Sequence, residues 1–197
     1  MALSPTHRSI RNRSFAIALA IAVIAGAFTQ LPFRAQGRII EAVTLGEWPL
    51  EWALRRHFHG KQAELQSLSQ FMKENPDVAQ VKQSSSGLRA SLRGEPSVGQ
   101  EYENPEVRDD LKSIQGYWVS VKEGRVHVFM GTENRSGVAF LTSYSTIEES
   151  GMDVDSCENI DREHRHPVGG CGLILDKSWF IRYLWEPADF RELDRLR

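Results

Sequence analysis

Residues 117–130 read YWVSVKEGRVHVFM, and the pattern of this stretch decides the fold. Valine or methionine recurs at every second position on both sides of Glu123-Gly124, at Val119, Val121, Val126, Val128 and Met130. A period of two is typical of a β-strand with one buried face, and a glycine-containing pair between two such runs favours a tight turn. The stretch therefore predicts a β-hairpin.

Further strands are predicted on the C-terminal side of this hairpin. Residues 137–144 form a third strand, and residues 172–175 and 179–185 form a pair around Asp176-Lys177-Ser178. The last strand is apolar on both faces, which is typical of a strand in the centre of a sheet. Two weaker strand candidates, residues 78–82 and 88–92, precede the hairpin. We expect an antiparallel β-sheet of about five strands.

Two helices are predicted before the hairpin. Residues 50–75 carry apolar side chains on one helical stripe, and Asn75-Pro76 ends this long helix because the residue before proline avoids the helical conformation. Asn104-Pro105 is typical of a helix start, so a short helix is expected to run from there to Gly116. The fold class is α+β: an N-terminal hydrophobic export or anchor helix, then the antiparallel sheet with the long and the short helix on one face.

The N-terminal hydrophobic helix is predicted over residues 14–28, SFAIALAIAVIAGAF, which follow a basic leader with three arginines. This is the layout of a secretory signal, and Ala25-Gly26-Ala27 fits a signal-peptidase site. A helix of this length rises about 22 Å, short of the ~30 Å hydrocarbon core of a bilayer. Three alternatives stay open: a periplasmic or secreted protein cut after Ala27, a membrane anchor, or a buried core helix. The first two predict a cell-envelope protein with its domain outside the cytoplasm.

The chain divides by composition into a signal or anchor (residues 1–28), a linker (29–49) and a single α+β domain (50–197). It has 24 Lys plus Arg against 26 Asp plus Glu. Without the leader the balance is 21 against 26, a net charge of −5. Nucleic acids are bound through clustered positive charge, so we expect no nucleic-acid partner.

The two cysteines, Cys157 and Cys171, both lie in the exported part. In an oxidising compartment a lone pair of cysteines favours a disulfide. The bridge would close a loop of about 15 residues and add about 3 kcal/mol to the free energy of unfolding.

An acidic loop joins the third strand to the last strand pair. Residues 148–163 carry seven acids and one arginine, a local charge of −6 that suits a basic partner. We take this loop and two nearby tryptophans as the candidate contact surface. The candidate binding residues are Asp153, Asp155, Glu158, Asp161, Glu163, His164, His166, Trp179 and Trp185.

The same loop allows two metal sites and one catalytic site. Calcium prefers oxygen ligands such as those of Asp153, Asp155, Asn159 and Asp161, although the EF-hand pattern is not met. Zinc is the alternative for Cys157, His164, His166 and Cys171. A cysteine nucleophile with a histidine base would need a free thiolate. No hydrolase, phosphate-loop or dinucleotide motif is present, and no cofactor is predicted.

These observations rank three functions. The first is a non-catalytic cell-envelope protein that binds another protein or a small ligand, reaching the membrane through its N-terminal helix if that helix is retained. The second is a metal-binding extracytoplasmic protein that uses the acidic and histidine residues of loop 148–166. The third is an enzyme of unknown class.

Overall fold

The computed structural model describes residues 23, 26–28, 30–32, 35–36, 38–40, 48, 50–94, 99–135, 137–148, 151–160 and 168–187. Internal contacts divide the chain into two compact units, Met1–Leu54 and Arg55–Arg197. In the first unit the described residues are mostly helical, and the rings of Phe28 and Trp52 lie 6.3 Å apart. Of the residues described, none belongs to a helix that is long and apolar enough to span a membrane. The predicted hydrophobic helix is described only at residues 23 and 26–28.

The described residues are of mixed α+β type, with a large β-sheet and few helices. They include the helices α1 (Glu51–Gly60), α2 (Gln62–Glu74) and α3 (Pro105–Ser113) and a 3-10 turn at Cys157–Asn159. The strands are β1 (Val78–Ser84), β2 (Gly87–Leu92), β3 (Gln100–Tyr102), β4 (Trp118–Lys122), β5 (Arg125–Arg135), β6 (Val138–Thr146), β7 (Asp155–Ser156), β8 (Gly169–Ile174) and β9 (Trp179–Pro187).

All nine described strands belong to one sheet, in the order β3-β2-β1-β4-β5-β6-β9-β8-β7. Every neighbouring pair is antiparallel except β7 and β8, which are parallel. The predicted hairpin is confirmed as β4 and β5, paired from Trp118 opposite Phe129 to Lys122 opposite Arg125. Glu123 and Gly124 both have positive φ, 52° and 82°, as a two-residue turn of type I′ requires.

The two faces of the sheet are covered differently. On the first face, Phe58 of α1 contacts Tyr144 of β6 and Trp179 of β9, at ring distances of 5.8 and 6.5 Å. Phe71 of α2 contacts Tyr102 of β3 on the same face, at 6.2 Å. Helix α3 packs against α2, where the Ser113 hydroxyl donates a 2.7 Å hydrogen bond to Glu64. The core lies under these helices, and we call this side the helix face.

Two predictions about the elements were wrong. The described residues form nine strands where about five were expected. Strands β1 and β2 confirm the two weak candidates, but β3 and β7 span only three and two residues and so carry no readable period. The single long helix over residues 50–75 is two helices, separated at Lys61. Gly60 weakens the helix there, and the Lys61 ammonium group donates to Ser113 of α3 at 2.7 Å.

The predicted start of the short helix is confirmed. Asn104 is the N-cap of α3, with Pro105 following it in the first turn. The Asn104 side-chain oxygen accepts a 3.0 Å hydrogen bond from the Val107 amide. A polar side chain therefore satisfies one of the amide groups that the first helical turn leaves unpaired.

Candidate functional site

The two cysteines form the predicted disulfide. Cys157 and Cys171 are bonded, with their Cα atoms 4.9 Å apart, and both are buried. The bridge joins the 3-10 turn to β8. Because both thiols are used in the bond, the four-ligand zinc site and the cysteine nucleophile are both wrong as stated.

The predicted binding residues that the structure describes differ in their exposure to solvent. Asp155 and Glu158 are exposed, on β7 and the 3-10 turn, whereas Asp153 is nearly buried. Trp179 and Trp185 lie in the core with 7% and 4% of their surface exposed, so neither offers an open contact surface. The remaining four, Asp161, Glu163, His164 and His166, lie outside the described residues.

The calcium hypothesis stays a prediction. Its ligand Asp161 lies outside the described residues, and Asp153 is engaged by an arginine. Within the described ranges, no group of three or more histidine, cysteine or acidic side chains is arranged to hold a metal ion.

Asp153 belongs to a short segment, residues 151–154, that crosses the face of the sheet opposite the helices. We call this segment the strap. Its Asp153 carboxylate forms a 3.0 Å ion pair with Arg182 of β9, and the Gly151 carbonyl accepts a 3.0 Å hydrogen bond from Arg125 of β5. Met152 lies against Gly172 of β8, where an added Cβ would come within 2.7 Å of its sulfur. The strap is therefore fitted to three strands of the sheet.

A polar cluster lies next to the strap on this face. His127 of β5 and Ser145 of β6 are directly opposite in the sheet, and the His127 Nδ1 and Ser145 Oγ atoms share a 2.8 Å hydrogen bond. Only 7% of His127 is exposed, and burial, followed by the charge of Arg182, lowers its pKa to about 4. The imidazole is neutral at pH 7. Ser145 is fully buried, so its hydroxyl cannot meet a substrate in this conformation.

The strap lies at one end of a continuous row of side chains. Directly opposed residues of neighbouring strands share a face, and the register therefore defines the row. From β2 to β8 it consists of Arg89, Lys82, Trp118, Phe129, Ser143, Arg182 and Gly172. We call the first four of these residues the basic-aromatic row.

The basic-aromatic row is accessible to solvent. Arg89 and Lys82 are exposed, and Trp118 and Phe129 are half-buried. Trp118 lies between its neighbours: its ring stacks on Phe129 at 3.7 Å, and the Lys82 ammonium group is 5.9 Å from its ring centre. Tyr117 is exposed beside Phe129, with the two rings 5.9 Å apart. The row joins two cations to a cluster of aromatic side chains.

The charges of the row are unusual for paired strands. Lys82 and Arg89 are directly opposite each other, a placement that destabilises a sheet. Glu101 of β3 lies opposite Arg89 on its other side, whereas the other neighbour of Lys82 is Trp118. Lys122 of β4 is also on this face. A negative charge placed beside Lys82 and Arg89 would relieve this repulsion.

A cleft of about 450 Å³ opens near the end of this row. It lies between the β1–β2 turn, β3 and the start of α3, with Leu88, Tyr102 and Arg108 among its lining residues. Its volume is within the range of small-molecule sites.

Sequence reasoning missed the basic-aromatic row, although part of the signal was available. The Ser84–Gly87 pairing at the β1–β2 turn sets Lys82 opposite Arg89, so a fixed register would have revealed the like-charged pair. Nothing in the sequence indicated that the strap would lie beside His127.

Comparison of the chain with protein-family models, curated proteins and solved structures finds no match.

Proposed function

We propose that the chain is a non-catalytic cell-envelope protein whose sheet domain binds an acidic protein partner through the basic-aromatic row. The observation that carries this proposal is the exposed pair of like charges, Lys82 opposite Arg89, beside Trp118 and Phe129. Tryptophan, tyrosine and arginine are the residues most enriched at the centres of protein interfaces. Like charges at the centre of such a surface favour a partner of opposite charge.

The stacking within the row favours an acidic protein over a single-stranded nucleic acid as the partner. Proteins that bind single-stranded nucleic acid stack the bases on open aromatic faces. The Trp118 ring is stacked on Phe129, the Lys82 ammonium group lies over it at 5.9 Å, and the side chain is half-buried, so the ring is not a fully open stacking surface. The row therefore offers positive charge beside partly covered aromatic rings, which suits carboxylate side chains of a partner.

The envelope location rests on two supports. Residues 1–28 have the sequence of a signal or anchor, and the disulfide is of the kind that persists in oxidising compartments. The absence of enzymatic activity is proposed because Ser145 is buried and both cysteines are oxidised, which leaves the candidate nucleophiles of the site unavailable.

The proposal predicts that the full chain binds a short oligoglutamate peptide. Because the attraction is electrostatic and surface-exposed, we expect the affinity to fall as salt is raised. In the Lys82→Glu/Arg89→Glu variant the row carries the opposite charge, so we expect at least tenfold weaker binding of oligoglutamate and new binding of oligolysine. Isothermal titration calorimetry at low and high salt measures both.

A matched control separates the row from overall charge. The variant Lys73→Glu/Lys112→Glu makes the same change of charge at exposed positions on α2 and α3, and its affinity should stay close to that of the wild type. Equal affinities for the wild type and the row variant would overturn the proposal. Tighter binding of a sulfated polysaccharide or of anionic vesicles than of oligoglutamate would overturn the acidic-protein assignment.

A further inference from the structure

The continuous row of side chains extends from the basic-aromatic row to residues beneath the strap. Phe129 is opposite Ser143, which is opposite Arg182, so the guanidinium group of Arg182 belongs to the same row as Lys82 and Arg89. These basic side chains differ in solvent exposure: the Arg182 side chain is 15% exposed, whereas Lys82 and Arg89 are open to solvent. The strap therefore covers one end of a surface whose other end is free for contact.

The strap contacts Arg182 through a carboxylate, the same group that is proposed for the acidic partner. Its Asp153 carboxylate lies 3.0 Å from Arg182 Nη2, as a partner's carboxylate would. The fit is incomplete: within the described part of the chain, buried Asp153 Oδ1 and Arg182 Nε have no hydrogen-bond partner. A bidentate pair would satisfy both atoms and bind more strongly. A carboxylate from outside the chain can therefore compete for Arg182.

The contacts between the strap and the sheet allow the strap to be displaced without unfolding of the sheet. Met152 lies against Gly172 and Val154 lies near Gly170. Because glycine has no side chain, both positions leave space for the strap. Residues 155–157 fix the end of the strap through the β7–β8 pairing and the disulfide. Displacement of residues 151–154 would therefore leave the sheet and the bridge in place.

We infer that the strap is an autoinhibitory segment, in which Asp153 occupies Arg182 until an acidic partner replaces it and extends its contact along the row. This inference rests on the proposed function, since it assumes that the row binds acidic groups. It predicts that freeing Arg182 tightens binding. It also predicts that the bound partner exposes the strap.

The test compares Asp153→Asn with Asp155→Asn in oligoglutamate titrations of the full chain. Both variants lose one negative charge, but only Asp153 contacts Arg182. We expect Asp153→Asn to bind about tenfold more tightly than the wild type, and Asp155→Asn to bind within about twofold of it. In Asp153→Asn/Arg182→Gln the gain should disappear.

A second variant and a second measurement distinguish autoinhibition from the effects of misfolding in one variant. Met152→Ala loosens the strap without changing its charge, and it should also bind more tightly. In the wild type, oligoglutamate should increase amide hydrogen exchange in residues 151–154. If Lys82→Glu/Arg89→Glu weakens binding but neither Asp153→Asn nor Met152→Ala tightens it, the autoinhibition is overturned and the proposed function stands. Absence of oligoglutamate binding in all variants overturns the proposed function, and the autoinhibition with it.

Discussion

Acidification from pH 7 to pH 4 is expected to remove about 3 kcal/mol of the free energy of unfolding through His127 alone. The pKa of this side chain falls from 6.5 to about 4 on folding, and each unit corresponds to about 1.4 kcal/mol. Burial is the largest cause and the charge of Arg182 the next; Arg125 acts in the same direction and Asp153 in the opposite one. The protonated imidazole is thus poorly tolerated beside the strap.

The direction of the effect follows from proton binding. Between pH 6.5 and pH 4 the unfolded chain holds a proton on His127 that the folded chain does not, so stability falls as pH falls. The loss is complete below the folded pKa. Glu64 adds a separate loss at lower pH, because a hydrogen bond from Ser113 is the main cause that lowers its pKa to about 2.

Urea unfolding at a series of pH values measures this loss. His127→Gln keeps a hydrogen-bonding group near Ser145 but cannot gain a proton, so its stability should fall by about 3 kcal/mol less than that of the wild type. His59→Gln, at an exposed position of α1, is the matched control. Parallel stability curves for the wild type and His127→Gln would show that the buried imidazole does not produce the pH dependence.

Loss of the disulfide is expected to lower the free energy of unfolding by about 3 kcal/mol. Cys157 and Cys171 are separated by 14 positions in sequence, and the bridge restricts the unfolded chain over that loop. In the folded state it holds the 3-10 turn against β8, at the end of the strap. Reduction should therefore also raise hydrogen exchange in residues 151–156 more than in the central strands.

The expected loss is checked by denaturant unfolding of the Cys157→Ala/Cys171→Ala variant and of the wild type with and without reductant. Reductant should destabilise the wild type and leave the variant unchanged, which excludes effects of the reductant elsewhere. A variant as stable as the oxidised wild type would contradict the predicted contribution of the bridge.

The parts of the fold that the sequence predicted are those with a strong local signal. The period of two in residues 117–130 predicted β4 and β5, and Asn104-Pro105 predicted the start of α3. Strands β3 and β7 are held by their neighbours in the sheet, so their own residues carry no such signal. The break at Lys61 also depends on another element, because Lys61 contacts Ser113.

The candidate site was less predictable than the fold. The concentration of acids in residues 148–163 suggested a contact surface for a basic partner. The structure places Asp153 of this loop on Arg182, and the exposed charges beside the aromatic cluster are the cations Lys82 and Arg89. The charge of a loop can be counted from the sequence, but its partner within the fold cannot.

Local sequence signals were enough to predict the hairpin and the helix cap, and the presence of only two cysteines was enough to predict the disulfide pairing. Each of these depends on residues close in sequence or on a choice without alternatives. Only the tertiary structure decided that the helices cover one face of the sheet while the strap covers part of the other. A period of two shows that the faces of a strand differ, but the segment that covers each face is chosen by contacts between residues distant in the chain.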